Sequence, residues 1–115
     1  MHELGIVSGI LETVTAAARE AGASRVVAVS LRIGDLREVV PESLVFAWEV
    51  LTEEDPITCG CKLEVEEIHP RSRCLACGEE FDHDRFHVRC PACGGRDTHL
   101  LRGRELDLGS MEAES

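Results

Sequence analysis

Two cysteine pairs in the C-terminal half constrain this chain more than any other feature. They read Cys74-Leu75-Ala76-Cys77-Gly78 and Cys90-Pro91-Ala92-Cys93-Gly94. Two residues between cysteines let one tight turn aim both sulfurs at a single ion, and the glycine that follows permits the turn. Two such turns, twelve residues apart, supply four thiolates, the donor set of tetrahedral zinc. A closed shell of four leaves no position for water, which marks a structural ion rather than a catalytic one. Iron in a rubredoxin-like site uses similar turns and stays open as the alternative. Phe81, Phe86 and Val88 are most of the apolar content nearby, so the metal is expected to supply much of this segment's folding energy.

At 115 residues the chain has room for one ordinary domain, or for a small domain carrying a smaller metal-stapled lobe. With one Trp and no Tyr, the core must be built from Val, Leu, Ile and Ala, which makes such a staple useful. No stretch approaches the ~20 apolar residues needed to span a bilayer. The start of the chain lacks the basic-then-apolar pattern of a secretory signal. A cytoplasmic location is therefore expected, where six cysteines are better read as metal ligands than as disulfides.

The formal net charge of -10 is unevenly spread. Residues 1–70 carry 5 basic and 13 acidic side chains, residues 71–104 carry 7 and 5, and residues 105–115 carry 4 acids and no base. An acidic surface repels phosphate backbones, and zinc with four thiolates would neutralise the slightly basic middle. Neither nucleic acid nor a membrane is expected as a partner.

Val7, Ile10, Leu11, Val14, Ala18 and Ala21 recur at helical spacing over residues 4–21, and Gly22 stands where a left-handed cap would end the helix. The period then changes. Val27, Val29, Leu31 and Ile33 alternate with Ala28, Ser30 and Arg32, the pattern of a half-buried strand. A second helix is expected from Pro41, with Leu44, Val45, Trp48 and Leu51 facing the core, ending at or before Glu53-Glu54-Asp55. Leu63 and Val65 alternate with Glu64 and Glu66 in a second strand; Leu106 and Leu108 suggest a closing strand, followed by a frayed tail over residues 110–115. The fold class is α+β: two helices packed on a small mixed β-sheet, with an inserted zinc-ribbon lobe bearing the two CxxC turns.

The N-terminus offers a second kind of site. Met1-His2 presents three consecutive nitrogens: the α-amine, the His2 amide and the His2 imidazole. They close small chelate rings, and an ionised amide nitrogen favours a planar arrangement, which suits Ni(II) or Cu(II) rather than zinc. Glu3 could add an oxygen. The plain alternative is an idle terminus, and chemistry alone does not decide between them.

Met1-His2-Glu3-Leu4 leading into an apolar helix resembles the start of the HypA/HybF family, nickel-insertion proteins of nickel–iron hydrogenase maturation. The strand ending Arg32-Ile33-Gly34-Asp35-Leu36, the Leu63-Glu64-Val65 segment before the cysteine pairs, and Gly103-Arg104-Glu105-Leu106 are similar too. The resemblance covers essentially the whole chain. It implies nickel ligands at Met1 and His2 with Glu3 as auxiliary, and zinc at Cys74, Cys77, Cys90 and Cys93. With residues 71–103 read as a cysteine-bearing insert, the expected division is a nickel-binding α/β domain over 1–70 plus 104–115 and a zinc-binding domain over 71–103. The resemblance further implies a carrier rather than an enzyme, with nickel as transferred cargo. The implied partners are a nickel-handling GTPase, the hydrogenase large subunit and, in some bacteria, urease maturation proteins. Small sheet edges leave a homodimer open.

Cys59-Gly60-Cys61 is a departure the family pattern does not require. These thiols are soft ligands, a redox pair or incidental; the incidental reading is favoured, because Cys packs as a small apolar residue at a strand entry. His83 and His87 read as surface residues of a hairpin between the turns. His69, before Pro70, reads as hinge polarity, and His99 is the first candidate for an extra nickel ligand. Arg71, Arg73, Arg89 and Arg96 are expected to screen the thiolate charge. The rival functions are a zinc-ribbon adaptor of transcription or translation, disfavoured by the acidic charge, and a small redox protein.

Overall fold

The computed structural model describes residues 2–115, with His2 described through its backbone alone. Helix α1 (His2–Glu20) buries Val7, Val14 and Ala18, with Ile10 and Leu11 half-buried beside them. The helix closes as the glycine suggests. Gly22 adopts φ +72°, its N–H donates to the Arg19 carbonyl (3.1 Å), and the Ala23 N–H donates to the Ala18 carbonyl (2.9 Å). This paired closure satisfies carbonyls the helix would otherwise leave open. It also carries Ala21 past the apolar stripe into solvent, against expectation.

Strand β1 (Arg25–Gly34) buries Val29, Leu31 and Ile33 in strict alternation. Before Val29 the phase breaks: Val26, not Val27, is fully buried. The Val26 N–H donates to the Ile57 carbonyl (2.8 Å), a loop partner, so pairing at the strand's entry differs from that further along.

Helix α2 (Pro41–Thr52) starts with its proline in the first turn, where a missing N–H costs nothing. Its inward face is Leu44, Ala47, Trp48 and Thr52. Val45, expected inside, is exposed, and Leu51 is half-buried. Thr52 can sit inside because its hydroxyl donates to the Trp48 carbonyl (2.7 Å). The buried Thr58 hydroxyl in turn donates to the Thr52 carbonyl (3.0 Å). The indole N–H of Trp48 donates to the Cys61 carbonyl (3.0 Å), pinning the loop that leads into strand β2 (Lys62–Ile68).

Strands β2 and the C-terminal strand, β6 (Leu106–Glu114), flank β1 in the order β2-β1-β6. The Ser24 N–H donates to the Glu114 carbonyl (2.8 Å) and the Gly34 N–H to the Glu105 carbonyl (2.8 Å), so β6 runs antiparallel to β1. The expected fraying of residues 110–115 is thereby corrected. Leu106 and Leu108 are half-buried in alternation, Met111 is half-buried one position out of phase with them, and the backbone pairs as far as Glu114. A second sheet, order β4-β3-β5, joins β3 (Arg71–Cys74), β4 (Glu80–Asp82) and β5 (Thr98–Arg102), all antiparallel, with Ser72 opposite both Phe81 and Leu100.

The chain forms two compact units. One takes the chain up to Leu31, Val39–Glu66 and Leu108–Ser115; the other takes Arg32–Glu38 and Glu67–Asp107. Within the second, the short Asp35–Arg37 helical turn is tied to the later segment. The Leu36 N–H donates to the Gly103 carbonyl (2.9 Å), Arg37 Nε to the Arg104 carbonyl (2.8 Å), and His69 Nδ1 meets Asp35 Oδ2 (2.7 Å). Gly34 lies so close to this segment that a Cβ there would stand 2.0 Å from the Gly103 oxygen. No side chain other than hydrogen fits.

Candidate metal centre

Strand β3 delivers Cys74 at its end, and the chain then makes the first turn to Cys77. The Gly78 N–H donates to the Cys74 carbonyl (2.8 Å) and the Cys74 N–H to the Glu79 carbonyl (2.8 Å). The second turn repeats this pattern. The Gly94 N–H donates to the Cys90 carbonyl and the Cys90 N–H to the Gly95 carbonyl, both at 2.9 Å. Gly78 (φ +81°) and Gly94 (φ +75°) both occupy the left-handed region, the reason each pair is followed by glycine.

The result is a single cluster. Cys74 and Cys93 sulfurs lie 3.6 Å apart, those of Cys77 and Cys90 3.5 Å apart, and all four lie within 4.8 Å of one another. A tetrahedral ion with Zn–S bonds of ~2.3 Å would set its sulfurs about 3.8 Å apart, so the four residues fit such an ion. Cys74 and Cys90 are buried against Phe81, whereas Cys77 and Cys93 face solvent. Gly95 completes the shape: a Cβ there would lie 3.2 Å from the Cys93 sulfur and 3.5 Å from that of Cys74. Sequence reasoning missed this residue, although the Gly94-Gly95 doublet was its signal.

The electrostatics also call for a cation. Backbone N–H groups of Cys77 and Ala76 lower the Cys74 thiol to about 7. The Glu79 N–H favours ionisation of Cys77 as well, but the Cys90 thiol, burial and the other two sulfurs together outweigh it and push Cys77 up to about 12. Cys93 is raised in the same way: the Gly95 N–H lowers it, and the Cys74 and Cys90 sulfurs with burial together more than cancel this. Four sulfurs this close cannot all ionise unless a positive ion sits among them.

Of the four arginines expected to screen the thiolates, Arg71 does something else. Its guanidinium pairs with Asp82 (2.9 Å) and Glu80 (3.6 Å) across the β3–β4 pair, and Arg102 also reaches Asp82 (3.2 Å). His83 is more than a surface residue. Its Nε2 meets the buried Ser72 hydroxyl (2.7 Å), its Nδ1 donates to the Asp84 carbonyl (2.6 Å), and its ring packs on Phe81 at 5.6 Å. His87 is exposed and paired with Asp84 (2.8 Å), and His99 is exposed on β5. Cys59 is exposed while Cys61 is buried, where desolvation raises its thiol despite the nearby Arg25. That environment suits a packed apolar side chain, not a ligand.

Met1 and the side chain of His2, both proposed ligands from the sequence, lie outside the described residues. Glu3 is described: its Oε2 accepts the Val40 N–H at 3.3 Å, which ties the start of α1 to the residue before α2. Among the described residues no helix is long and apolar enough to cross a membrane.

The chain combines a four-thiol ribbon with a two-helix α+β unit, the class of small proteins stapled by a metal. Comparisons with known proteins narrow this class. The family model for "Hydrogenase/urease nickel incorporation, metallochaperone, hypA" matches residues 1–113. The chain is 37% identical to the hydrogenase maturation factor HypA of Geobacter metallireducens and 38% identical to that of Geotalea uraniireducens, each over 99% of this chain and all of the relative. Its fold is similar to the solution structure of the nickel metallochaperone HypA from Helicobacter pylori, with a TM-score of 0.70, 21% identity, and coverage of 98% of this chain and 97% of that one. A second HypA solution structure matches with a TM-score of 0.75 at 23% identity. The chain belongs to the HypA family of nickel-incorporation metallochaperones.

Proposed function

We propose that this protein carries Ni(II) on its N-terminus and passes it, with a partner GTPase, to the large subunit of a nickel–iron hydrogenase. The observation that carries this reading is the family match, which begins at residue 1 and spans the chain to residue 113. Nickel is the cargo. Its ligands are the Met1 amine, the His2 amide and imidazole nitrogens, and a Glu3 oxygen.

Helical geometry supports the amide's part. The first N–H groups of a helix have no intrahelical acceptor, so the His2 amide, at the start of α1, can lose its proton without breaking a helix bond. The incomplete, terminal ligand set lets an acceptor's donors attack the metal while it is still held, so transfer proceeds by ligand exchange and no substrate is turned over. Zinc is the resident ion of Cys74, Cys77, Cys90 and Cys93. It supplies a cross-link between the two turns and no chemistry. The working compartment is the cytoplasm, and urease maturation proteins are further candidate recipients.

The division into a nickel-carrying unit and a zinc-holding unit is tested by elemental analysis of untagged protein after nickel exposure and exhaustive dialysis, beside His2→Ala. The expected outcome is one zinc per chain in both, with nickel retained in the parent alone. Equal nickel in both would move the cargo site elsewhere.

A further inference from the structure

The outward face of α2 carries a patch that neither the core nor the metal sites account for. Phe46 is 68% exposed and Val50, one turn on, 44%. Val45 is 37% exposed, and Glu42, Glu49 and Glu53 are exposed too. At 100° per residue the three carboxylates form one ridge, with Phe46 and Val50 along one side of it and Val45 along the other. The last turn of α2 has no basic residue, and among the described residues no ion pair involves these three glutamates. Leu4 (41%) and Val40 (49%) are exposed at the helix's N-terminal end, where Glu3 accepts the Val40 N–H. Phe46 stands six residues beyond Val40, ~9 Å along the axis.

An exposed phenylalanine on a packed helix is costly to leave in water, and with valine at i+4 it forms the kind of apolar anchor that interfaces use. The charge beside it selects the occupant. A second copy docking through the same face would bring one glutamate ridge against another, which is repulsive in a symmetric contact. An anionic membrane is refused on the same ground.

We infer that this face of α2 docks a partner protein whose apolar cleft takes Phe46 and Val50 and whose rim carries lysines or arginines opposite Glu42, Glu49 and Glu53. The site rests on the carrier function proposed above: the Glu3–Val40 tie sets Glu3, next in the chain after Met1-His2, at one end of the docked helix.

The test uses the full chain with its zinc, and two purified probes: the maturation GTPase and the hydrogenase large subunit from the same source. Titration calorimetry compares the parent with Phe46→Ala and with a Glu42→Gln/Glu49→Gln/Glu53→Gln variant, at low and high salt. Truncating Phe46 is expected to weaken binding to one probe by about tenfold or more. The glutamine variant is expected to weaken it at low salt and to flatten its salt dependence. Both variants change exposed side chains only, and an unchanged melting temperature verifies that each is folded. Parent-like binding of both variants to both probes overturns the docking face and leaves the carrier function standing. A parent that binds neither probe overturns both. A parent dimer that Phe46→Ala dissolves would make a second copy the occupant and overturn the basic partner.

Discussion

Gly95 shows how narrowly one residue can control a metal centre. Its φ is not in the left-handed region, so the constraint is space: a methyl group would press on the sulfur of Cys93 and touch that of Cys74. Gly95→Ala is expected to lower zinc retention against a competing chelator while leaving the far-UV circular dichroism unchanged, and a variant that holds zinc like the parent would refute the steric argument. The four ligands themselves were legible from spacing, because two turns of fixed length can place sulfurs without help from the rest of the fold. Gly95 was not, since its role depends on how the second turn lies against the first. The same holds for His83. Its partner Ser72 is eleven residues away and meets it only through the β3–β4 pairing.

At the scale of elements, the helices and strands followed their periodicity, and the misreadings fell at particular junctions. Val45 was assigned to the core of α2 and lies outside, because Ala47 and Thr52 complete the inward arc instead. A threonine reads as polar in a sequence, but here its hydroxyl is satisfied by the Trp48 carbonyl, so it packs like a valine. The tail read as frayed for a related reason: its composition is polar, yet the pairing of its backbone with the residue before β1 does not depend on side chains. Trp48 joins α2 to the entry of β2 through its indole N–H. Trp48→Phe should keep the packing and leave the buried Cys61 carbonyl without that donor, a loss of about 1–3 kcal/mol in a denaturant titration. A smaller loss would mean that the carbonyl finds another donor.

For the whole molecule, the two units rest on different physics. The first has a conventional apolar core of Val7, Val14, Leu31, Leu44 and Trp48, whereas the buried apolar cluster of the cysteine turns is Phe81 with two of the thiols. Stripping the metal with a strong chelator should therefore disorder the second unit first. Trp48 is the one tryptophan and is 1% exposed in the first unit, so its fluorescence should stay unshifted while amide exchange at β3–β5 accelerates. A simultaneous red shift would show that the metal stabilises both units together. The threading of Arg32–Glu38 into the second unit has a further consequence, for inheritance rather than for chemistry. A gene segment encoding only residues 67–107 would carry all four thiols, yet it would lack the carbonyl-bound Leu36 amide, the Arg37 guanidinium and the Asp35 carboxylate that the segment grips. A metal lobe lifted out by recombination would leave those bonds behind, so lobe and carrier are expected to diverge as one lineage.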